Sequence, residues 1–259
     1  MELQTCRLEV ADGIAVVTLA RAPVNAQNRR MREELIWIFD SMSDRDDVRT
    51  VVLTADGKTF CAGADIKERR TMVKEPGDYI SHNRITRECF YAISDCTKPV
   101  ICAVNGPAIG AGFVTMLYSD IMIASEDAWF TMPEIDVGLA GGGKMMMEHL
   151  GRSWGRLLYF TGRRISAAEL YRLGVISACV PGDKLMEEAM TIAREIAAKS
   201  PFVVKEIKRG FQAVEQMPVR DAYRYEQTIT HALSTSAATR EAQTAFVEKR
   251  KADYSGITP

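Results

Sequence analysis

Three short stretches carry the residues that could do chemistry. Phe60 to Glu68 reads FCAGADIKE, Asn105 to Gly112 reads NGPAIGAG, and Phe130 to Gly143 reads FTMPEIDVGLAGGG. The first two crowd small residues where a strand gives way to a helix: Ala62, Gly63 and Ala64 in one, Gly110, Ala111 and Gly112 in the other. Helix starts leave backbone N–H groups unpaired, and the carboxyl ends of strands in an open α/β sheet are where ligands bind. Two such N–H groups converging from two turns would stabilise a thioester or ester oxygen as it becomes negative. Small residues suit this, because a Cβ substituent would hold the carbonyl away from the amides. No Lys-Ser or Lys-Thr pair follows to hold a phosphate. The third stretch offers a carboxylate, Glu134, directly after Pro133. Taken singly, each loop reads as tight packing at a helix start, and Glu134 as a surface acid in a turn. Together the two loops shift the reading toward chemistry, and the order of motifs around Glu134 shifts it further.

The elements that must position these stretches are legible around them. Arg7–Val10 and Ile14–Leu19 are β-rich runs around Asp12-Gly13, a hairpin signal. In Arg29–Ser43 the apolar residues Leu35, Ile38, Phe39 and Met42 repeat at helical spacing. Thr50–Thr54, Val100–Val104 and Ile121–Ala124 are short apolar strands with helical stretches between them. That alternation predicts an α/β protein with a largely parallel sheet. After about Pro181 the pattern changes, and Asp183–Lys199, Pro201–Glu215, Val219–Leu233 and Thr239–Ala252 all read as helices. Pro201 and Pro218 suit first-turn positions, and Ser166 with Glu169 forms a capping-box pattern. The expected division is an α/β core over 1–181 and a helical region over 182–259. The tail helices carry apolar faces, such as Leu185, Ala189, Ile192 and Ile196, so packing and self-association through them are expected.

Composition narrows the classes. The chain has 259 residues, near the upper limit for one compact domain. A formal net charge of −1 gives no electrostatic reason to expect nucleic acid or an acidic membrane as partner. The first residues show no basic and apolar secretory pattern, and no apolar run reaches membrane-spanning length. The six cysteines lack CxxC pairing, so reduced, mostly buried thiols in a cytoplasmic setting are expected. A nucleophilic cysteine is the sharper alternative, but none stands beside any of the three histidines.

The order FCAGADIKE, NGPAIGAG, strand, PEIDVG resembles the crotonase (enoyl-CoA hydratase/isomerase) superfamily. RAPVNAQN, TGRRISAAEL with LGVISACV, and the closing FVEKR are also similar to it. The resemblance implies an α/β crotonase (ClpP-like) spiral of ββα units with a C-terminal helical trimerisation region. It implies an acyl-CoA thioester as substrate, no metal, and no cofactor beyond the coenzyme A of the substrate. A homotrimer or dimer of trimers is the usual assembly. By motif position the backbone N–H groups of Ala64 and Ala111 would form the oxyanion hole. Ala62, Gly63, Asp65, Ile66 and Lys67 would lie along the CoA, with Gly110 and Val114 lining the acyl side.

Catalytic acids carry over only in part. Family hydratases use two glutamates, and Glu134 matches one. The other position, twenty residues earlier, holds Val114. VGLAGGGKMM is also about two residues shorter than the family's usual loop and lacks its proline or acid. Adding water to an enoyl thioester needs one proton taken and one given, which two carboxylates divide between them. A single carboxylate suits moving a proton between two carbons, so Glu134 with Val114 favours double-bond isomerisation over hydration. Hydration with an unidentified second acid stays open, as does a non-catalytic acyl-CoA-binding or RNA-associated relative. C–C or thioester hydrolysis would need a water-activating residue. Asp136 is the nearest substitute acid; Tyr118, Glu68 and His82 are weaker ones. Met72 and Tyr79 would shape the acyl pocket and Lys67 and Lys249 would meet CoA phosphates, although packing and solvated charge are the plainer readings. Trp37, Trp129 and Trp154 read as packing residues.

Overall fold

The opening hairpin forms where Asp12-Gly13 stands. Strand β1 (Cys6–Ala11) pairs antiparallel with β2 (Ile14–Leu19). Asp12 and Gly13 take φ of 52° and 78°, the double positive φ of a type I′ turn. The computed structural model describes residues 1–72 and 74–257; positions 258–259 of the expected helical region lie outside them. After the hairpin come α1 (Arg29–Asp44), β3 (Thr50–Ala55), α2 (Ile66–Met72), α3 (Pro76–Asp95), β4 (Val100–Val104), β5 (Ala108–Ile109) and α4 (Ala111–Leu117). Then come β6 (Ile121–Ser125), β7 (Trp129–Thr131), a 3-10 turn (Pro133–Val137), α5 (Gly143–Thr161), β8 (Ile165–Ser166), α6 (Ala167–Arg172) and β9 (Ala178–Val180). Four helices close the chain: α7 (Leu185–Ala197), α8 (Pro201–Val214), α9 (Val219–Ser234) and α10 (Ala237–Glu248).

Among the described residues one sheet runs β1-β2-β3-β4-β6-β9, parallel throughout except for the opening hairpin. The inner strands β3 and β4 are buried along their whole length because both faces are covered, whereas β1 at the edge alternates buried and more exposed residues. Val51, Leu53, Val100, Cys102 and Val104 face a large core shared with α1, α3 and α4. Their neighbours Val52, Ile101 and Ala103 face Leu185, Ala189, Ala193 and Ala197 of α7. The buried stripe of α7 is thus partly alanine, with Ile192 and Ile196 at its margin, and the small side chains let the helix lie close to the sheet. Helix α10 stops four residues before the expected Ala252. Lys249 enters the left-handed region at φ 54°, and the Arg250 N–H returns to Ala245 O at 3.0 Å, which ends a helix.

A second, three-stranded sheet, β5-β7-β8, has no counterpart in the sequence pattern. Strands of two or three residues are too short for an alternating pattern. This small sheet matters most to the site, since β5 lies inside NGPAIGAG and β7 leads directly to Pro133-Glu134. Among the described residues no helix is long and apolar enough to cross a membrane.

Glu34 pins α1 to the hairpin. Its carboxylate, with no exposed surface, accepts from Gln4 N (2.8 Å), Thr5 N (2.9 Å), Thr5 Oγ1 (2.7 Å), Cys6 N (3.0 Å) and Arg30 Nε (2.6 Å). Burial opposes its charge, but the bonds from Thr5, Gln4 and Arg30 outweigh that and hold the carboxyl below its ordinary value. A depressed carboxyl stabilises the fold above the unfolded value near 4.5, and that contribution is lost as pH falls through the folded value. Glu34→Ala leaves buried N–H groups of Thr5 and Cys6 unpaired, so urea unfolding should show a loss of about 3 kcal/mol. The difference from wild type should shrink below pH 4.

Candidate functional site

Two loops meet backbone to backbone. Cys61 N donates to Pro107 O at 3.2 Å, and Ile109 N donates to Cys61 O at 2.9 Å, a parallel ladder one residue wide. On its other side the first loop is held by Gln27, whose N–H donates to Gly63 O (2.7 Å) and whose O accepts from Asp65 N (3.0 Å). Gly110 N donates to Thr131 O at 2.9 Å, tying the second loop to β7. These bonds alternate with free groups. Among the described residues neither the Ala64 N–H nor the Ala111 N–H donates a backbone hydrogen bond. Ala111 opens α4, where an unpaired N–H is expected.

Glycine makes the approach possible. Gly63 sits at φ 87°, and a Cβ there would lie 2.7 Å from Ile109 O and 3.6 Å from Ala111 N. Gly110 sits at φ 51°, and a Cβ there would lie 2.6 Å from Glu134 Oε1. A side chain is therefore disfavoured at Gly63 by backbone conformation and by space, and at Gly110 by backbone conformation and by the Glu134 carboxylate it would displace. The second of these distances also locates the acid: the Glu134 carboxylate rests against Gly110, one residue before the free Ala111 N–H.

Glu134 occupies the 3-10 turn that β7 feeds, and its own C=O accepts from Leu139 N at 2.8 Å. Its side chain is partly buried, and Oε2 is buried with no hydrogen-bond partner. Burial raises its carboxyl above the ordinary value, a bond from its own backbone N–H opposes that, and no neighbouring charge contributes. Asp136 does not join it. At about three residues per turn, positions two apart point different ways, and Asp136 Oδ2 lies 2.8 Å from where a Gly162 Cβ would be. Val114 is buried under the GLAGGG loop: a Cβ on Gly142 would lie 2.9 Å from Val114 Cγ2 and 2.7 Å from Met132 Cε. The loop thus packs directly against the valine.

The remaining candidates sort by their partners. Ala62 N donates to Val24 O at 3.0 Å. Asp65 starts α2, with Oδ1 accepting from Lys67 N and Glu68 N at 3.1 Å each and Oδ2 paired with Arg21 at 2.7 Å. Its oxygens are engaged by the protein, so its part is to hold the loop. Ile66 and Lys67 are exposed on the first turn of α2. Glu68 receives Arg29 N at 2.8 Å, Tyr118 stacks on Phe90 at 5.4 Å, and Tyr79 lies beneath Arg69 at 4.7 Å. Met72 is partly buried at the end of α2, and Lys249 is the exposed residue that ends α10. Trp129 lies beneath Arg164, Trp154 packs on the core, and Trp37 is partly exposed on α1. No group of three His, Cys, Asp or Glu among the described residues could hold a metal ion.

Two polar residues beside the loops are not among the residues that the motifs single out. Gln27 and Arg32 are each 1% exposed. A signal existed, since Arg32 stands three and seven residues before Leu35 and Phe39, on the apolar stripe of α1.

A family model described as enoyl-CoA hydratase/isomerase matches residues 9–257. The chain is 35% identical over 239 residues to a (7aS)-7a-methyl-1,5-dioxo-2,3,5,6,7,7a-hexahydro-1H-indene-carboxyl-CoA hydrolase of Mycobacterium tuberculosis, covering 92% of this chain and 96% of the relative. It is 33% identical over 256 residues to a short-chain-enoyl-CoA hydratase of Clostridium acetobutylicum, covering 97% of each. The crystal structure of an enoyl-CoA hydratase from Bacillus anthracis superposes with a TM-score of 0.92 at 30% identity, covering 98% of this chain and 100% of that one.

The spacing of the loops has a direct test in Gly112, which needs no special backbone angle. A Cβ there would lie 2.5 Å from Cys61 O and 2.7 Å from Cys61 Cβ, so Gly112→Ala must push the two loops apart. A displacement on the order of 1 Å at a catalytic site costs about 100-fold in rate. Turnover should fall by that order while circular dichroism shows a folded protein.

Proposed function

The chain belongs to the enoyl-CoA hydratase/isomerase family, and from that footing we propose that it acts on an acyl-CoA through a thioester enolate, with Glu134 as its one proton carrier. The observation behind this is the setting of Glu134: a carboxylate with a buried, unpartnered oxygen beside Gly110, with Val114 where a second acid would stand. The Ala64 and Ala111 N–H groups would receive the thioester oxygen. An α-proton beside a thioester is weakly acidic, so most of the barrier is charge on that oxygen, and each donor contributes roughly 3–4 kcal/mol.

The reaction this constellation performs unaided is double-bond isomerisation. Glu134 takes the C2 proton of a 3-enoyl thioester, and the electron pair moves into the carbonyl to give a dienolate. The protonated Glu134 then returns the proton at C4, and the double bond forms between C2 and C3. No water is consumed, which suits the apolar Val114. A raised carboxyl favours the return step, because the protonated form is less costly in a dry site.

The Mycobacterium tuberculosis relative is named a hydrolase of a dioxo carboxyl-CoA, which favours a second reading, hydrolysis, and the form we propose for it is C–C cleavage of an oxo-acyl-CoA. Here Glu134 takes a proton from water and the hydroxide adds to a ketone carbon bonded to C2. The bond from that carbon to C2 breaks, leaving a carboxylic acid and the thioester enolate. Glu134 returns its proton to C2. One carboxylate serves both steps, and the same two amides hold the enolate. We further propose that the exposed apolar residues Phe211, Val219, Phe246 and Val247 of α8–α10 meet other copies of the chain in a trimer or dimer of trimers.

The readings separate in D2O by mass spectrometry of products. Double-bond movement with deuterium uptake and no added water supports isomerisation. Cleavage of a cyclic oxo-acyl-CoA with one heavy water added supports hydrolysis, and simple hydration of a 2-enoyl-CoA would contradict the one-carboxylate scheme. Glu134→Gln should slow either reaction at least roughly 100-fold while leaving thioester binding intact. The free enzyme must carry an ionised Glu134 to take a proton, so kcat/KM should fall as pH drops through an inflection above 4.5.

A further inference from the structure

Arg32 is buried as a cation with open donors. It is 1% exposed, and its one polar contact among the described residues is a weak approach of Nη1 to His82 Nδ1 at 3.5 Å. Nε and Nη2 are buried with no partner. On a guanidinium these two N–H groups point the same way and form the edge that grips a pair of oxygens or a single carbonyl. Among the groups whose charge acts on Arg32, Glu68 is a carboxylate, and it makes no hydrogen bond to that edge. Cys61 and Cys89 are thiols pushed up by burial to about 11 and about 12, and His82 is held down to about 4 by burial and then by Arg32, Arg69 and Arg29. Glu68 is turned to the Arg29 N–H. A buried charge in that state is unfavourable until something accepts from it.

Arg32 lies close to the paired loops, near enough for its charge to act on Cys61. Gln27 pairs its backbone with Gly63 and Asp65, and its Nε2 donates to Thr115 Oγ1 at 2.7 Å, which donates to Ala111 O at 2.8 Å. Gln27 Oε1 is likewise buried without a partner. Arg32 follows one turn later in α1, and its charge acts on Cys61, the residue whose backbone joins the two loops. The interior around Gln27 and Cys61, beside the two loops, therefore holds polar atoms without partners among the described residues, an unsuitable lining for a plain hydrocarbon chain.

We propose that the Nε–Nη2 edge of Arg32 binds an oxygen of the acyl group, a ketone or a carboxylate, and so selects oxygen-bearing acyl-CoA thioesters over hydrocarbon ones. This rests on the acyl-CoA reading above, and the two oxo groups in the name of the Mycobacterium tuberculosis relative's substrate are of the chemistry required. Arg32 is a specificity residue here; the enolate and the proton remain with Ala64, Ala111 and Glu134.

Equilibrium binding tests it without requiring turnover. Calorimetry would compare acyl-CoA thioesters that differ only at the far end (carboxylate, methyl ketone or methyl) at several chain lengths. Wild type should bind one oxygen-bearing series roughly 10- to 100-fold tighter than the matched hydrocarbon, as a hydrogen bond to a charged donor allows. The carboxylate and ketone arms tell which oxygen is taken. Arg32→Met should abolish that preference and leave hydrocarbon binding within about threefold. Arg32→Lys keeps the charge but not the two-pronged edge, and should lose most of the preference as a folded control. Equal affinity for both kinds in wild type, or equal weakening of both in Arg32→Met, would overturn the proposal and leave Arg32 a packing residue. Binding of no thioester at all would instead overturn the acyl-CoA reading beneath it.

Discussion

Two hydrogen bonds, Cys61 N to Pro107 O and Ile109 N to Cys61 O, hold two small-residue loops edge to edge. The rest of the site depends on that contact. It aligns the loops so that the Ala64 and Ala111 N–H groups are the ones left over. It disfavours a side chain at Gly63, Gly110 or Gly112, each of which would bring a Cβ within 3 Å of a neighbour. The large parallel sheet supplies the two strands that deliver the loops, and the small sheet ties the second loop to the strand that delivers Glu134. A scaffold buried on both faces gives the loops little freedom to separate, which donors aimed at a developing charge require.

The second feature of the site is economy of charge. One carboxylate stands beside the free amides, raised by burial alone. The position from which a second acid would act is occupied by Val114 under Gly142. On the proposed scheme the lack of a second acid would not prevent an enolate, because the two amides would stabilise it. Its fate is then limited to reactions in which the same group takes and returns a proton. Beside the loops the pattern reverses, and Arg32 and Gln27 hold polar atoms that have no hydrogen-bond partner among the described residues. A dry proton carrier and open donors together suit an acyl group that carries oxygen.

Much of this was legible in the sequence, for identifiable reasons. The strands TVVLT and VICAV read correctly because a double-faced parallel strand is apolar throughout. The hairpin read correctly because few residues besides Asp-Gly accept two positive φ angles. The small-residue loops and the Pro-Glu pair were visible as patterns, and the roles given to Glu134 and Val114 came from the family resemblance. What could not be read depends on contacts between distant residues. The three-stranded sheet is too short for a periodic signal. The closure of Gly142 on Val114 is a tertiary contact. Asp136 diverges from Glu134 only because the chain turns there instead of staying extended. Arg32 was readable in principle, since a charge on an apolar stripe is a local conflict, and such conflicts concentrate at functional sites.

The most direct measurement of the central claim is the vibrational spectrum of a bound acyl-CoA carrying carbon-13 at its thioester carbonyl. Two free amides aimed at one oxygen polarise that bond, so the labelled stretch should move to lower frequency than in water. The shift should persist in Glu134→Gln, which leaves the amides in place, and diminish in Gly112→Ala, which separates them. A bound thioester whose carbonyl vibrates as it does in water would contradict the claim, because the two N–H groups would then not be directed at the substrate.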